Sequence, residues 1–245
     1  MHRYWLNPDV EDPETRNDEI REICDLYASA GELLVVGCHL LSTDEMTGIQ
    51  ALERKAATKL MRPGLIERVE HEYIRHGTLS LIANFEVATG QVLSPSIGPT
   101  RNEIVFAQHI ETTINTDPQA EWVFIVDRLN THQSESLVRI VASHCQIDDD
   151  LGIKGKSGIL KSMASRRDFL ACTTHRIRFV YVPKHTSWVN QIELWFSILA
   201  RRLLKRASFD SIEQLRERIL AFIQYFNQTM AKPFKGTYKG RPLTI

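Results

Sequence analysis

Three carboxylates stand where apolar runs break off: Asp44 ends HLLSTD, Asp127 ends VFIVD, and Glu193 follows FVYVP in the first turn of a helix. In sheets with parallel strands, sites gather just beyond the strand ends, where neighbouring connections diverge. If the Asp44 and Asp127 strands are adjacent, their carboxylates converge, and two like charges at close range call for a cation. A small set of hard oxygen ligands suits Mg²⁺ or Mn²⁺, which keep waters and phosphate oxygens as their other ligands.

Each acid also has a plainer reading. An aspartate after an apolar strand serves equally well as a turn former. Asn190-Gln191-Ile192-Glu193 has capping-box spacing, with Glu193 reaching back to the Asn190 amide. On a helical wheel Phe196, Leu199 and Leu203 cluster with Ile192, while Glu193 lies about 100° away at the flank of that stripe. Asn130, Thr131 and His132 follow Asp127 with groups that can hydrogen-bond a phosphate or orient a water. Lys184, His185, Ser187 and Trp188 precede Asn190 and Glu193, and can hold a nucleic-acid strand by charge and stacking. Hydrogen-bonded loop positions are the expectation for His132 and His185, and core packing for Trp195.

The elements that must position these residues follow from hydrophobic periodicity. Pro8 and Pro13 break the N-terminal tail, and Pro13-Glu14 opens a helix to about Ala30, with Ile20, Ile23, Cys24 and Tyr27 on one face. A strand ends near Asp44. HGTLSLIANFEVATGQVLSPSI alternates as two antiparallel strands turning at Ala88–Gln91. Residues 101–115 read as a helix, 121–127 as a strand and 134–145 as a helix. Residues 146–172, rich in Gly, Ser and Lys, read as an inserted, partly helical loop. RIRFVYVP is a further strand, SWVNQIELWFSILARRLLKR an amphipathic helix and residues 211–227 another, forming core or dimer surface. Antiparallel strands first and alternating strands and helices later make a mixed α/β sheet with helices on its faces.

The chain of 245 residues is 43% hydrophobic and 24% charged, the composition of a soluble globular protein. No apolar run approaches the ~20 residues of a bilayer span. No export signal is visible, and four scattered cysteines form neither a metal pair nor a disulfide framework, so the expected location is cytoplasmic. Net charge is zero, but residues 1–50 carry −8 and residues 151–206 carry +10. Such segregation points either to a polyanion-binding face or to solvated surfaces that drifted apart in charge. The candidate face comprises Lys154, Lys156, Lys161, Arg166, Arg167, Arg201, Arg202 and Lys205, joined by Lys184, His185 and Trp188. The last three basic residues of the first group also suit a helix C-terminus.

STDEMTGIQALER, YIRHGTLSLIANFEVATGQV, VDRLNTHQSESL and YVPKHTSWVNQIELWFSILARRLL occur in order. Together they resemble the bacterial insertion-sequence branch of the mariner transposase superfamily, from about His2 to the end. The resemblance implies an RNase H-like catalytic domain: a mixed five-stranded sheet, three antiparallel strands then parallel ones, flanked by helices. It implies residues 1–35 as a helical lead-in and 36–245 as the catalytic domain, with the insertion at about 146–172. The DDE triad falls on Asp44, Asp127 and Glu193, which would bind two Mg²⁺ or Mn²⁺ ions, with Asn130, His132 and Asn190 in support. The implied activity is metal-dependent cleavage of DNA at element ends and transfer of the freed 3′-hydroxyl to target DNA. The implied partners are double-stranded DNA (terminal inverted repeats and a TA target) and a second copy of the chain in the DNA complex, without a membrane and near the nucleoid.

Four departures stand out. Asp127 and Glu193 are 66 residues apart, wider than is usual among mariner relatives, and the insertion accounts for the excess. Arg128 stands where the family most often has Asn, a possible disturbance beside the metal site. Gln191 replaces a common Pro. The segment before Asp44 leaves no room for a helix-turn-helix that reads the repeats. A DNA-binding or dimerisation remnant and a structure-selective nuclease on the same fold are the alternatives.

Overall fold

The computed structural model describes residues 13–236. Pro8 and the end of the basic C-terminal tail lie outside the described residues. Helix α1 (Pro13–Val35) leads into β1 (Cys38–Arg54), β2 (Tyr73–Glu86) and β3 (Val92–Gly98). Then follow α2 (Glu103–Ile114), β4 (Glu121–Val126), α3 (Glu135–His144), α4 (Met163–Leu170), β5 (Ile177–Tyr181), α5 (Ile192–Leu199) and α6 (Ile212–Thr229). The strands form one sheet in the order β3-β2-β1-β4-β5. The β1–β2 and β2–β3 pairs are antiparallel, whereas β1–β4 and β4–β5 are parallel. This is the mixed five-stranded sheet expected of an RNase H-like domain.

The near-continuous apolar run of β4 reflects burial on both faces. Trp122, Phe124 and Val126 pack into one layer with Phe106 and Ile110 of α2 and Leu137, Val138 and Val141 of α3. Val123 and Ile125 point the other way, onto Ile20 and Ile23 of α1. On that second face α5 and α6 cover the β2–β3 side with Ile192, Trp195, Phe196, Leu215, Ile219 and Phe226. Trp195 is thus core, as its place on the apolar stripe requires.

Several boundaries differ from the sequence expectation. Strand β1 does not end near Asp44 but runs on to Arg54, because β2 continues to pair with it from Asp44↔Ala83 to Arg54↔Tyr73. A register shift between Met46 and Ile49 is accommodated at Gly48, whose φ of 66° suits a residue without a Cβ. What does stop is the pairing with β4, whose last partners are Ser42 and Ile125. Beyond the sheet, residues 55–72 form a narrow arm held by Lys59↔Arg68 and Arg62↔Leu65, with Leu60, Met61 and Ile66 exposed. Helix α1 continues past Ala30 to Val35. The single long helix expected after FVYVP is instead a 3₁₀ turn (Ser187–Val189), α5 and a π turn (Ala200–Leu204).

The Gly- and Ser-rich stretch 146–172 is partly helical, as expected, but it is not loose. Leu160 and Leu170 are buried in the α2–α3 layer, and Arg166 donates to the carbonyls of Gln133 at 2.6 Å and Leu160 at 3.1 Å. Among the described residues no helix is long and apolar enough to cross a membrane.

Helix α1 is tied to β1 and β4 through a few buried side chains. Replacing Ile23 with Ala leaves a cavity between α1 and the sheet, and the expected cost is about 2–5 kcal/mol of unfolding free energy. Urea denaturation checks this, and a loss below about 0.5 kcal/mol would mean that α1 is not part of the cooperative core.

Candidate active site

The parallel register of β1 and β4 places the first two acids side by side. Cys38 pairs with Glu121 and Ser42 with Ile125; continued two residues further, the same offset sets Asp44 beside Asp127. Aligned residues of parallel neighbours face the same side of the sheet, with strands about 4.8 Å apart. Leu40, Val123 and Ile125 share the α1 layer, so Asp44 belongs to that face, while Asp127, one residue past the end of β4, stands at the rim and turns one oxygen to His132 of the other layer. Glu193 enters from the exposed flank of the first turn of α5.

Asp44 is held by a cross-linked patch of polar groups. Its Oδ1 accepts from the Glu45 amide at 2.7 Å and its Oδ2 from Asn190 Nδ2 at 3.3 Å. Asn190 Nδ2 also donates to the Thr43 carbonyl at 3.2 Å, and its Oδ1 accepts from the Ser42 hydroxyl. Ser42 Oγ in turn accepts from the Ile192 amide at 2.8 Å. Tyr27 of α1 clamps the same turn, donating to the Val189 carbonyl at 3.1 Å and accepting from the Gln191 amide at 3.4 Å. The capping-box reading of Glu193 therefore fails. The Asn190 side chain is committed to β1, and the helix N-cap, Gln191, makes no side-chain cap. Gln191 in place of Pro is a gain here, since Pro has no N–H to give Tyr27.

Asp127 is gripped from the opposite layer. Its Oδ1 accepts from the Leu129 amide at 2.9 Å and lies 2.7 Å from His132 Nδ1. His132 has no exposed side-chain surface, and its ring lies 4.2 Å from that of Phe106. Its Nε2 faces Glu45 Oε1 at 3.4 Å, and Arg101 Nη1 approaches the other Glu45 oxygen at 3.7 Å. His132 is thus a buried partner of carboxylates rather than an ordinary loop histidine.

The charge states follow from these contacts. Burial, together with the neighbouring charge of Asp127, pushes the Asp44 carboxyl up to about 7, although the Glu45 amide opposes the shift. Burial and Asp127 likewise raise Glu193 above the usual glutamate range. Burial would raise Asp127 too, but the hydrogen bond and charge of His132 more than offset it, and its carboxyl sits below the usual range. For His132, burial favours the neutral ring, yet Asp127 and Glu45 overcome it and raise the imidazole to about 9. Asp127 acts on both other acids, so the three form one electrostatic unit. Among the described residues no three His, Cys, Asp or Glu side chains are already gathered at ligating distance; the carboxylates share a rim without closing on it.

The other candidates divide. Arg128 does not disturb the site: its Nη2 lies 2.6 Å from both carboxylate oxygens of Glu19, which draws the guanidinium toward α1. Asn130 is exposed on a 3₁₀ turn. Lys184 and His185 are exposed, and Trp188 is 57% exposed, on the turn before Asn190. Arg166 is a correction. It is 8% exposed and bound to two backbone carbonyls, because it fastens α4 to the turn after Asp127, so it has no surface to offer DNA. The remaining basic residues do not make one continuous face. Lys154, near Glu103 of α2 at 3.4 Å, extends from the α2–α3 layer, whereas Arg201, Arg202 and Lys205 are exposed after α5 in the other layer. Lys156, Lys161 and Arg167 belong to the insertion on the first side.

Sequence reasoning missed Ser42, Tyr27, Glu45 and Arg101. A signal existed for Glu45: strand alternation sets it on the opposite face from Asp44, in line with Leu41 and Thr43.

Residues 39–216 match the family described as DDE superfamily endonuclease, a span that contains Asp44, Asp127 and Glu193. No curated protein matches the chain. Among solved structures it is similar to the Mos1 mariner paired-end complex with Mn, at 12% identity and a TM-score of 0.51 over 91% of this chain and 59% of that one. A pre-cleavage Mos1 transpososome gives 11% and 0.52 over 91% and 59%. The catalytic domain of Mos1 mariner transposase gives 9% and 0.50 over 90% and 85%. The chain thus spans less than two thirds of the Mos1 chains in those complexes but most of the isolated catalytic domain, and at such identities the likeness is one of fold. The chain belongs to the DDE superfamily endonuclease family, and its fold is the RNase H-like fold also seen in the Mos1 catalytic domain.

Proposed function

We propose that this chain is the catalytic part of a DDE transposase that cuts DNA strands at the ends of a mobile element and joins the freed ends to target DNA. The observation that carries the reading is the β1–β4 register, which sets Asp44 beside Asp127 while Glu193 feels the charge of Asp127. The donor set fits hard divalent cations: three carboxylates, two of them raised by burial and mutual repulsion. Asp44, Asp127 and Glu193 are the residues that would hold two Mg²⁺ or Mn²⁺ ions. Bound there, such ions supply activation of the attacking hydroxyl and charge stabilisation at the leaving oxygen.

The chain's own part is orientation. Asn190 and the Glu45 amide fix both oxygens of Asp44. His132 and the Leu129 amide engage Oδ1 of Asp127, leaving Oδ2 as its free oxygen for a ligand. Tyr27 and Ser42 hold the turn from which Glu193 projects. In the first step the oxygen of a water attacks a phosphodiester and the strand's 3′-oxygen leaves as a hydroxyl. In the second, that hydroxyl attacks a target phosphodiester and the target strand's 3′-oxygen leaves as a hydroxyl, so this step leaves the number of phosphodiester bonds unchanged. Lys154, Lys156, Lys161 and Arg167 on one side, with Lys184, Trp188, Arg201, Arg202 and Lys205 on the other, would flank the DNA. The partners in this reading are terminal inverted repeats, a TA target and a second copy of the chain.

Asp127→Ala and Glu193→Ala are expected to leave the circular dichroism spectrum unchanged and to abolish Mg²⁺-dependent nicking of inverted-repeat DNA. Equal nicking by wild type and variants sinks the proposal. Salt-sensitive DNA binding without any cleavage would favour the remnant reading instead. Arg201→Ala and Arg202→Ala should weaken binding on all DNA sequences, each lowering the slope of log K against log salt by about 1. Arg166→Ala should lower the melting temperature rather than change that slope.

Stability should depend on pH with a defined sign. Asp44 and His132 both titrate higher in the folded state than in the unfolded chain. Their contributions are therefore complete below the unfolded values and are lost as pH rises, for Asp44 up to about 7 and for His132 up to about 9. Buried His109, whose imidazole is lowered to about 3, works the other way as pH rises through 6.5, so the Asp44 contribution is read by difference: Asp44→Asn should lose less melting temperature than wild type between pH 5.5 and pH 8 in the metal-free protein. Because a protonated Asp44 is a poor ligand, Mg²⁺ should raise the melting temperature more at pH 8 than at pH 5.5. A Mg²⁺ shift independent of pH contradicts this assignment.

A further inference from the structure

We propose that Glu45 is a positioning residue, holding Asp127 in place through His132 as a buried carboxylate–imidazole–carboxylate bridge. The inference rests on the reading of Asp127 as a cation ligand. Asp44 and Glu45 are consecutive in β1 and so point to opposite faces of the sheet. Asp44 looks toward α1 and α5. Glu45 enters the α2–α3 layer, where its side chain is 1% exposed. A carboxylate in that position is costly unless it is compensated.

Its compensation is narrow. Oε1 of Glu45 and Nε2 of His132 are both buried and neither has a hydrogen bond, yet they face each other at 3.4 Å. Each is the other's near counterpart, at ion-pair rather than hydrogen-bond geometry. Arg101 Nη1 stands 3.7 Å from the second Glu45 oxygen and remains 43% exposed, so it only partly closes the far end. On the other side of the ring the contact is short: Nδ1 lies 2.7 Å from Asp127 Oδ1 and 3.2 Å from the Asp127 carbonyl. The ring also packs on Phe106, which limits how it can turn.

The consequence is geometric. With one nitrogen directed at Glu45, the other must be directed at Asp127. Flipping the ring would leave both nitrogens misplaced in a dry layer. Asp127 is otherwise half-open, with 41% of its side chain exposed, and among the described residues the other hydrogen bond to its carboxylate comes from the Leu129 amide. Adjacent β1 residues thus serve the site by different routes, Asp44 directly and Glu45 across the sheet through the β4 acid. Partners of this outer kind typically change metal affinity about 10–100-fold when removed.

The test uses the full chain and Mn²⁺ as probe, with binding read by electron paramagnetic resonance and folding by thermal melting. Glu45→Leu, which fills the space without an oxygen, is expected to weaken Mn²⁺ binding about 10–100-fold. Glu45→Gln, which keeps an oxygen facing Nε2, should recover part of that loss. On inverted-repeat DNA the same order should appear in kcat with KM unchanged, and melting temperatures need not follow it. A folded Glu45→Leu protein with wild-type Mn²⁺ affinity overturns the proposal. Should that variant fail to fold, Glu45→Leu/His132→Phe removes both buried polar groups together, and it is expected to show the same loss; wild-type affinity there overturns the proposal equally. If the wild type binds no more Mn²⁺ than Asp127→Ala, the functional reading itself fails. If Asp127→Ala loses binding while Glu45→Leu keeps it, only the role of Glu45 is rejected.

Discussion

The structure depends on bringing two carboxylates together at the point where β4 stops pairing with β1. The parallel register, which ends at Ser42 and Ile125, delivers both acids to the same end of the sheet, and like charges at close range repel. An ordinary core would not keep this arrangement. Here it is kept because each acid is gripped from a different layer: Asp44 by Asn190 on the α5 side, Asp127 by His132 on the α2 side. The Asp44 carboxyl is raised to about 7, by burial first and by the charge of Asp127 as a smaller contribution. A divalent cation held between the two acids would offset both the burial of charge and the repulsion.

The surrounding elements make sense as supports for that pair. Helix α1 buries Ile20 and Ile23 against the strands that carry both acids, and it sends Tyr27 to the turn before α5 and Glu19 to Arg128. The Arg128–Glu19 contact matters because an unpaired guanidinium next to Asp127 would compete with a cation for its charge. The insertion between α3 and β5 contributes through Arg166, whose two bonds to carbonyls tie it to the turn that carries His132. One acid of the N-terminal segment, Glu19, is thus engaged by Arg128, and one basic residue of the insertion, Arg166, is spent on backbone carbonyls. This tempers a simple picture in which every basic residue faces DNA.

Much was legible in advance because the signals were local. The double-sided apolar run of β4, the alternation of β2 and β3 around a tight turn, and the stripe of α6 are patterns of neighbouring residues that burial imposes directly. Strand ends are less legible. The end of β1 is set by how far β2 accompanies it, and a bulge at Gly48 lets the strand continue past Asp44. The Asn190–Glu193 spacing was misleading for a related reason. Asn190 has a better partner on β1, about 150 residues earlier in the chain, than the helix end beside it.

The sequence by itself determined the strand and helix menu, the three acids and their order, because these depend on periodicity and on residue types within a few positions. Only the tertiary structure decided that Asp44 and Asp127 come close, that Glu45 meets His132 within the α2–α3 layer and that Arg166 is buried. Those facts depend on which strands pair and on how layers stack, through contacts between residues tens of positions apart. Such contacts leave no trace in local pattern, since a buried carboxylate and a turn-forming one look alike until the partner that compensates the charge is in place.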